Sequence, residues 1–157
     1  MSWTCAATFQ PTRSISWNGV IGSPGGANGF SAASAYTLAG SGTLDLAGAG
    51  NAVGALASAS PAARVTSSLG GSPVLTVGTG GAAHTFAGAI QDGAATLGLT
   101  VAGAGTLVLT GANTYTGATT IDPGATLRLG AGATAGSIDA TPAIANAGAL
   151  VVDRSHT

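Results

Sequence analysis

A short element, Thr-Leu-x-Leu, returns along the chain and constrains the fold more than any other feature. It occurs at residues 43–46, 96–99, 106–109 and 126–129, with looser versions at 74–77 and 149–152. Side chains alternate faces along a β-strand, so the two apolar residues of each element point to one side. Thr106 and Thr126 are 20 residues apart, and Thr126 and Ala149 are 23 apart. Spacings of this size are typical of a solenoid.

This alternation predicts which side chains form the core. We expect six pairs to face inward: Leu44/Leu46, Leu75/Val77, Leu97/Leu99, Leu107/Leu109, Leu127/Leu129 and Leu150/Val152. The residues between them should face outward: Asp45, Thr76, Gly98, Val108, Arg128 and Val151. Both charged residues of this second set fall on the outer face, which supports the strand assignment.

Glycine-rich corners separate these elements, for example at 40–42, 78–81 and 103–105. Glycine supplies the positive φ angles of tight corners and disfavours helices. Short strands between short corners are typical of a parallel β-helix, in which each coil hydrogen-bonds to the coils above and below. We predict an all-β solenoid of roughly five to six coils over residues 37–157.

Residues 1–36 lack this periodicity, and we predict an irregular entry or capping segment there. They hold five of the seven aromatic residues, which we expect to cover the end of the stack: Trp3, Phe9, Trp17, Phe30 and Tyr36. Residues 1–10 have neither the basic start nor the apolar core of a signal peptide. We therefore expect a removed signal or an excerpt from a longer chain.

The low charge excludes several functional classes. Charged residues make up 6% of the 157 residues, lysine and glutamate are absent, and the net charge is −1. No row of cations is available to neutralise phosphates, so we predict no nucleic-acid partner. The longest strongly apolar run, 107–109, is too short for a spanning helix, so we predict no membrane insertion by this segment. Cys5 is the single cysteine, which excludes an internal disulfide.

One stretch resembles a known family. Residues 103–130, GAGTLVLTGANTYTGATTIDPGATLRLG, resemble the autotransporter-associated β-strand repeat of Gram-negative bacterial passenger domains. Residues 84–93, HTFAGAIQDG, are similar to the segment that often leads into this repeat, and residues 143–155 are similar to the coil that follows it. The resemblance covers about residues 40–157, is most specific over 84–130 and is weak over 1–36.

The resemblance implies a right-handed parallel β-helix at the bacterial cell surface or in the extracellular medium. The family has no shared catalytic residues, and we expect the parent chain to carry a C-terminal β-barrel. The leading interpretation is a passenger fragment that acts as a structural stalk or spacer, without enzymatic activity and without a cofactor. Three alternatives stay open: an adhesin or self-association module that contacts its own copies or a host surface, a β-helical carbohydrate-active enzyme, and ice binding by rows of threonine.

The enzyme alternative depends on a pair of suitably placed carboxylates. Glycoside hydrolysis needs two carboxylates at a set separation, and Asp92, Asp122 and Asp139 are the candidates. Asp92 precedes Gly93 and Asp122 precedes Pro123, which are positions typical of turns. We therefore interpret these residues as turn formers and predict no catalytic residue.

The remaining candidates also favour structural roles. His84 and His156 have no neighbouring ligands in the sequence, so we predict no metal site. Residues 48–54, GAGNAVG, lack the helix and acidic residue of a dinucleotide loop, so we predict a coil corner and no cofactor-binding site. We expect Tyr115 to cover the coil core, and Asn113 and Asn146 to hydrogen-bond along the corners as asparagine ladders do.

Overall fold

In the computed structural model, strands and turns make up the described part of the chain, which comprises residues 14–22, 29–138 and 140–155. None of these residues forms a helix that is long and apolar enough to cross a membrane. The strands are β1 (Ser14–Trp17), β2 (Val20–Gly22), β3 (Ala35–Leu38), β4 (Thr43–Asp45), β5 (Asn51–Val53), β6 (Ala55–Ala57), β7 (Arg64–Ser67), β8 (Val74–Gly78), β9 (Ala83–Phe86), β10 (Ala89–Gly93), β11 (Gly98–Ala102), β12 (Thr106–Leu109), β13 (Thr119–Ile121), β14 (Thr126–Ala133), β15 (Ile144–Asn146) and β16 (Ala149–Arg154).

The strands stack in three columns. The first column joins the sheets β1-β3-β6 and β9-β12-β14-β16 through one parallel bridge between Ser58 and Phe86. The second column is β2-β4-β7-β10, and the third is β5-β8-β11-β13-β15. The chain visits the columns in a fixed order, as in β3, β4 and β5, so one strand from each column makes one coil. In the coils that contain β12 and β14, the second-column strand is reduced to a single bridge between Ala112 and Ser137.

Neighbouring coils pair in parallel throughout the described residues. All twelve strand pairings there are parallel. Partners lie between 20 residues apart, as for Tyr36 and Leu56, and 28 apart, as for Ser58 and Phe86. The prediction of an all-β solenoid is confirmed, with about five turns. Its right-handed winding stays a prediction.

The core is the stack of inward leucines and valines. The five predicted pairs from Leu44/Leu46 to Leu127/Leu129 are all buried. Like residues lie above one another: Leu75 pairs with Leu99, and Leu107 pairs with Leu127. Each fully buried side chain of this kind contributes about 1.5–3 kcal/mol.

The sixth predicted pair lies at the end of the stack and is not buried. Val152 pairs with Leu129 and so faces the core side, yet 64% of it is exposed. Leu150 is only half-buried. The prediction of burial is wrong for Val152 because β16 is the last strand of the first column and no further coil covers it among the described residues.

Two residues predicted to face outward are nevertheless buried. Val108 is 7% exposed, because it lies in register between Thr85 and Arg128 on the two neighbouring strands. Gly98 lies in register with Val74 and is also buried. The alternation therefore gives the direction of a side chain, whereas the adjacent coils decide its exposure.

Parallel pairing reaches upstream of residue 37, into the segment predicted to be irregular. β1 pairs with β3, and β2 pairs with β4. Phe30 and Tyr36 are buried, and their rings meet edge to face with centroids 5.5 Å apart. Two of the aromatic residues predicted to cover the end of the stack therefore lie in the core. Trp3, Phe9 and Cys5 lie outside the described residues.

The corners of successive coils approach closely. A Cβ atom added at Gly111 would overlap the carbonyl oxygen of Gly88 in the preceding coil. Gly93 has a φ of +72°, and an added Cβ would meet the backbone of Ser67. Glycine is thus required at these two corners by the stacking distance and, at Gly93, also by the backbone conformation.

Replacing Leu107 with alanine should lower the free energy of unfolding by about 2–5 kcal/mol, since the coils on both sides prevent the cavity from collapsing. Val20, which is 66% exposed, provides the matched control; Val20→Ala should change stability by no more than about 0.5 kcal/mol. Urea unfolding followed by circular dichroism measures both, and equal effects would contradict a sealed core.

Candidate functional site

The structure does not bring the predicted carboxylate candidates together. Asp92 lies in β10 of the second column, whereas Asp122 directly follows β13 of the third. Asp139 and His156 lie outside the described residues. No group of three or more His, Cys, Asp or Glu side chains is placed to hold a metal ion within the described ranges. The candidate site is therefore sought in the contacts between coils.

Asp92 connects two coils. Its Oδ1 accepts hydrogen bonds from the backbone N–H groups of Leu97 and Thr116, both at 2.9 Å. Its Oδ2 accepts a hydrogen bond from Thr116 Oγ1 at 2.6 Å. The bond to Leu97 shapes the corner, as predicted for a turn former, and the bonds to Thr116 reach the next coil.

Asp45 repeats this arrangement near the start of the stack. Its Oδ1 accepts hydrogen bonds from Ala47 N at 2.9 Å and from Ser68 N at 2.8 Å, 23 residues along the chain. We call Asp45–Ser68 and Asp92–Thr116 the aspartate links. Both belong to second-column strands, β4 and β10.

The aspartate links favour ionised carboxylates. Partial burial raises the pKa of Asp45, but hydrogen bonds from Ser68 and Ala47 outweigh it and leave the pKa below its usual value of 3.8. Burial likewise raises the pKa of Asp92, and hydrogen bonds from Thr116 and Leu97 bring it below 3.8. The pKa of both aspartates is lowered overall because these hydrogen-bond donors bind the ionised carboxylate more strongly than the protonated one.

Asn113 replaces a missing strand. Its coil has no strand in the second column, and the Asn113 side chain, 2% exposed, fills that place. Oδ1 accepts a hydrogen bond from Ile90 N at 3.0 Å in the preceding coil, and Nδ2 donates to Ser137 O at 2.9 Å in the following coil. Nδ2 also lies 3.1 Å from Gly111 O. One amide thus joins three coils, which confirms its predicted role at the corner.

Two further asparagines differ in whether their side chains connect coils. Asn51, which sequence reasoning missed, accepts a hydrogen bond from Phe30 N at 3.2 Å, 21 residues earlier. Asn146 is exposed and accepts one hydrogen bond, from Gly148 N at 3.2 Å within its own corner. Asn146 therefore shapes a turn but does not extend the ladder.

Tyr115 covers the core, as predicted. The residue is 1% exposed, and its hydroxyl lies 2.7 Å from Thr119 Oγ1. Thr119 Oγ1 lies 3.3 Å from Thr141 Oγ1, which lies 2.8 Å from Gly117 O. Burial raises the pKa of Tyr115 to about 12, although the hydrogen bond to Thr119 opposes the shift.

Buried hydroxyl groups form a further set of coil contacts that sequence reasoning missed. Ser58 Oγ donates to Leu38 O at 2.7 Å. Thr79 Oγ1 donates to Ala102 O at 3.0 Å and accepts from Gly105 N at 2.7 Å. Ser58 and Thr79 each lie two residues after an inward apolar side chain, so the alternation contained the signal for them.

The outer face of the third column is uncharged. None of the residues in β5, β8, β11, β13 and β15 is titratable. A shallow groove of about 260 Å³ crosses this face and is lined by residues that include Val74, Gly98, Thr100 and Thr120. The threonine row predicted by the ice-binding alternative is short, because Thr76, Thr100 and Thr120 pair in register but Ala52 and Ala145 continue the row on either side.

One comparison with known proteins supports the resemblance of residues 103–130 to a passenger repeat. The family model of the passenger-associated-transport-repeat matches residues 99–129, about a fifth of the chain. The matched residues run from β11 to β14 and include Asn113 and Tyr115. The resemblance to an autotransporter passenger fragment is confirmed over this stretch. No curated protein and no solved structure gives a significant match.

Replacing Asn113 with alanine should destabilise the fold by at least about 1–3 kcal/mol, because the buried N–H of Ile90 loses its acceptor. Asn146→Ala, at an exposed corner, should cost no more than about 0.5 kcal/mol. Urea unfolding distinguishes the two variants, and an Asn113→Ala variant as stable as the Asn146→Ala control would show that the three-coil connection is dispensable.

Acid should weaken the column through the aspartate links. The pKa values of Asp45 and Asp92 are lowered in the folded chain, so their stabilisation is complete above the unfolded value and is lost as the pH falls through the folded value. We expect the urea midpoint to fall as the pH drops below about 4. The double variant Asp45→Asn, Asp92→Asn should flatten this dependence, and urea unfolding at several pH values measures both proteins.

Proposed function

We propose that this chain is a structural module of a surface or secreted passenger protein, a β-helical stalk or spacer without catalytic activity. The observation that carries this proposal is Asn113, whose single amide joins three coils inside the matched transport repeat. Asp92 and Asn113, both singled out by the sequence, hold neighbouring coils together. A module of this kind contributes length and stiffness.

The dimensions suit a spacer. Neighbouring strands lie about 4.8 Å apart, so about five turns give a column roughly 25 Å long. The hydrogen bonds between coils run along this axis, parallel to the direction in which a stalk extends. Each added coil lengthens the column by the same amount without needing a new core design.

Coil-by-coil folding gives the module a role in its own transport. A coil that emerges from the membrane can pair with a coil already folded outside, and the hydrogen bonds and buried leucines then stabilise the exported state. The coil around Asn113 suits this step, since it becomes fully hydrogen-bonded only when both neighbours are in place. The matched family, named for passenger-associated transport, supports this proposal.

The positions of the charged groups support the absence of catalysis and of nucleic-acid binding. Asp92 is hydrogen-bonded at both oxygens, and Asp122 lies in a different column. Arg64 donates to Gln91, Arg128 pairs with Asp153, and Arg154 donates to Thr134 O. These arginines are dispersed over two columns and cannot line a phosphate backbone together.

An adhesive or self-associating module is the second candidate. The observation that favours it is the uncharged outer face of the third column, with its threonine row and shallow groove. A flat face without charges offers no electrostatic repulsion to another neutral surface. Lysine substitutions at Thr100 and Thr120 would abolish adhesion through this face and leave the core unchanged.

The transport role can be tested in an autotransporter carrier whose own passenger is replaced by residues 1–157. We expect the wild-type chain to appear at the cell surface in a protease-resistant form, and Asn113→Ala to appear about tenfold more slowly if the lost stabilisation of at least about 1.4 kcal/mol enters the export barrier. Asp122→Asn is the control. Surface appearance of Asn113→Ala at the wild-type rate would count against folding-assisted transport.

A further inference from the structure

A side-chain contact between the first two coils resembles the aspartate links but uses an amide. Asn18 lies exposed in the corner between β1 and β2, and its Oδ1 accepts a hydrogen bond from Ser41 N at 3.1 Å. Ser41 lies 23 residues along the chain, which is also the separation of Asp45 and Ser68. Asn18 thus meets the next coil as the aspartates do, with an uncharged oxygen in place of a carboxylate.

The surroundings of Asn18 hold one end of its amide and leave the other end open. Oδ1 is fixed by the hydrogen bond from Ser41 N, and Gly40 leaves room for it, since a Cβ atom added there would overlap Oδ1. Nδ2 has no hydrogen-bond partner among the described residues. The nitrogen is therefore free to leave the side chain, while the oxygen stays bonded to the next coil.

The residue that follows Asn18 is Gly19, which makes a reaction within the chain possible. The backbone nitrogen of Gly19 attacks Cγ of Asn18, a bond forms between these two atoms, and the NH2 group leaves with the proton of Gly19 N as ammonia. The product is a five-membered succinimide ring. Glycine favours this step because it has no side chain to obstruct the approach and has the widest backbone freedom. Among the described asparagines, Asn18 alone precedes a glycine.

We propose that Asn18 modifies itself in this way and matures to an aspartate that remains bonded to Ser41. Water adds to Cγ, the bond from Cγ to Gly19 N breaks, and this nitrogen regains a proton, which restores a regular peptide chain with a carboxylate on the side chain. Water that added to the backbone carbonyl carbon instead would leave an isoaspartyl linkage. Ser41 N donates to the oxygen on Cγ, and a donor at this place stabilises the negative charge that develops there in both steps. The fold therefore directs water to Cγ.

The aspartyl product strengthens the contact between the first two coils. A hydrogen bond to a carboxylate is shorter and stronger than one to an amide, and the bond of Asp45 to Ser68 N, at 2.8 Å, is shorter than the 3.1 Å of the amide contact. Each conversion also adds one negative charge. The modification thus changes an uncharged contact into the charged type that joins later coils at Asp45 and Asp92.

Incubation of purified residues 1–157 at mildly alkaline pH, once folded and once in concentrated urea, tests the proposal. Mass spectrometry with peptide fragmentation separates aspartyl from isoaspartyl products, and residue 18 from the second Asn-Gly pair at 28–29. In the folded chain we expect the amide of Asn18 to be replaced, with the aspartyl form in excess. In urea the isoaspartyl share should rise, because Ser41 no longer directs water to Cγ. Gly19→Ala should slow the conversion several-fold in both samples.

Two further variants test the product. Asn18→Asp should unfold at a higher urea concentration than the wild type at neutral pH, and this difference should vanish in acid, where the carboxylate is protonated. Asn18→Ala is the matched control and should unfold at a lower urea concentration than the wild type, because Ser41 N loses its acceptor. An intact Asn18 in the folded chain, or equal isoaspartyl shares in the folded and urea samples, would overturn the proposal. An Asn18→Asp variant no more stable than the wild type would overturn the strengthened contact.

Discussion

The parallel ladder between coils is the constraint on which the rest of the structure depends. Because each strand must hydrogen-bond to the strands above and below, every coil has to return to the same three columns after 20 to 28 residues. That return places leucine over leucine in the core and glycine at corners where two backbones nearly touch.

The ladder is weakest where the chain turns or lacks a strand, and side chains complete it there. Asn113 supplies an acceptor and a donor in place of a peptide group, and the aspartate links accept N–H groups that point out of the corners. Thr79 does the same from the inside of the column. These contacts therefore engage Asn113, the two aspartates and Thr79 in holding the coils together.

The sequence was sufficient to predict the repeating elements, the inward leucine pairs and the positions of Tyr115 and Asn113. A period of two within strands and of about 20 residues between them determines the first two features, whereas Tyr115 and Asn113 were predicted from their positions at a corner. It could not predict the burial of Val108 or the exposure of Val152, because both depend on whether a neighbouring coil is present and what side chain it carries. It also missed Ser58 and Thr79, because the alternation gives only their inward direction, whereas the carbonyl that each hydroxyl meets belongs to another coil.

The aspartate links lie on one side of the molecule only, in the second column, while the third column has no titratable group in its strands. Protonation would therefore loosen one flank and leave the opposite flank intact. A column softened in this way would open along the second column and bend away from it rather than melt uniformly, so an acidic environment would change its shape before it changed its secondary structure.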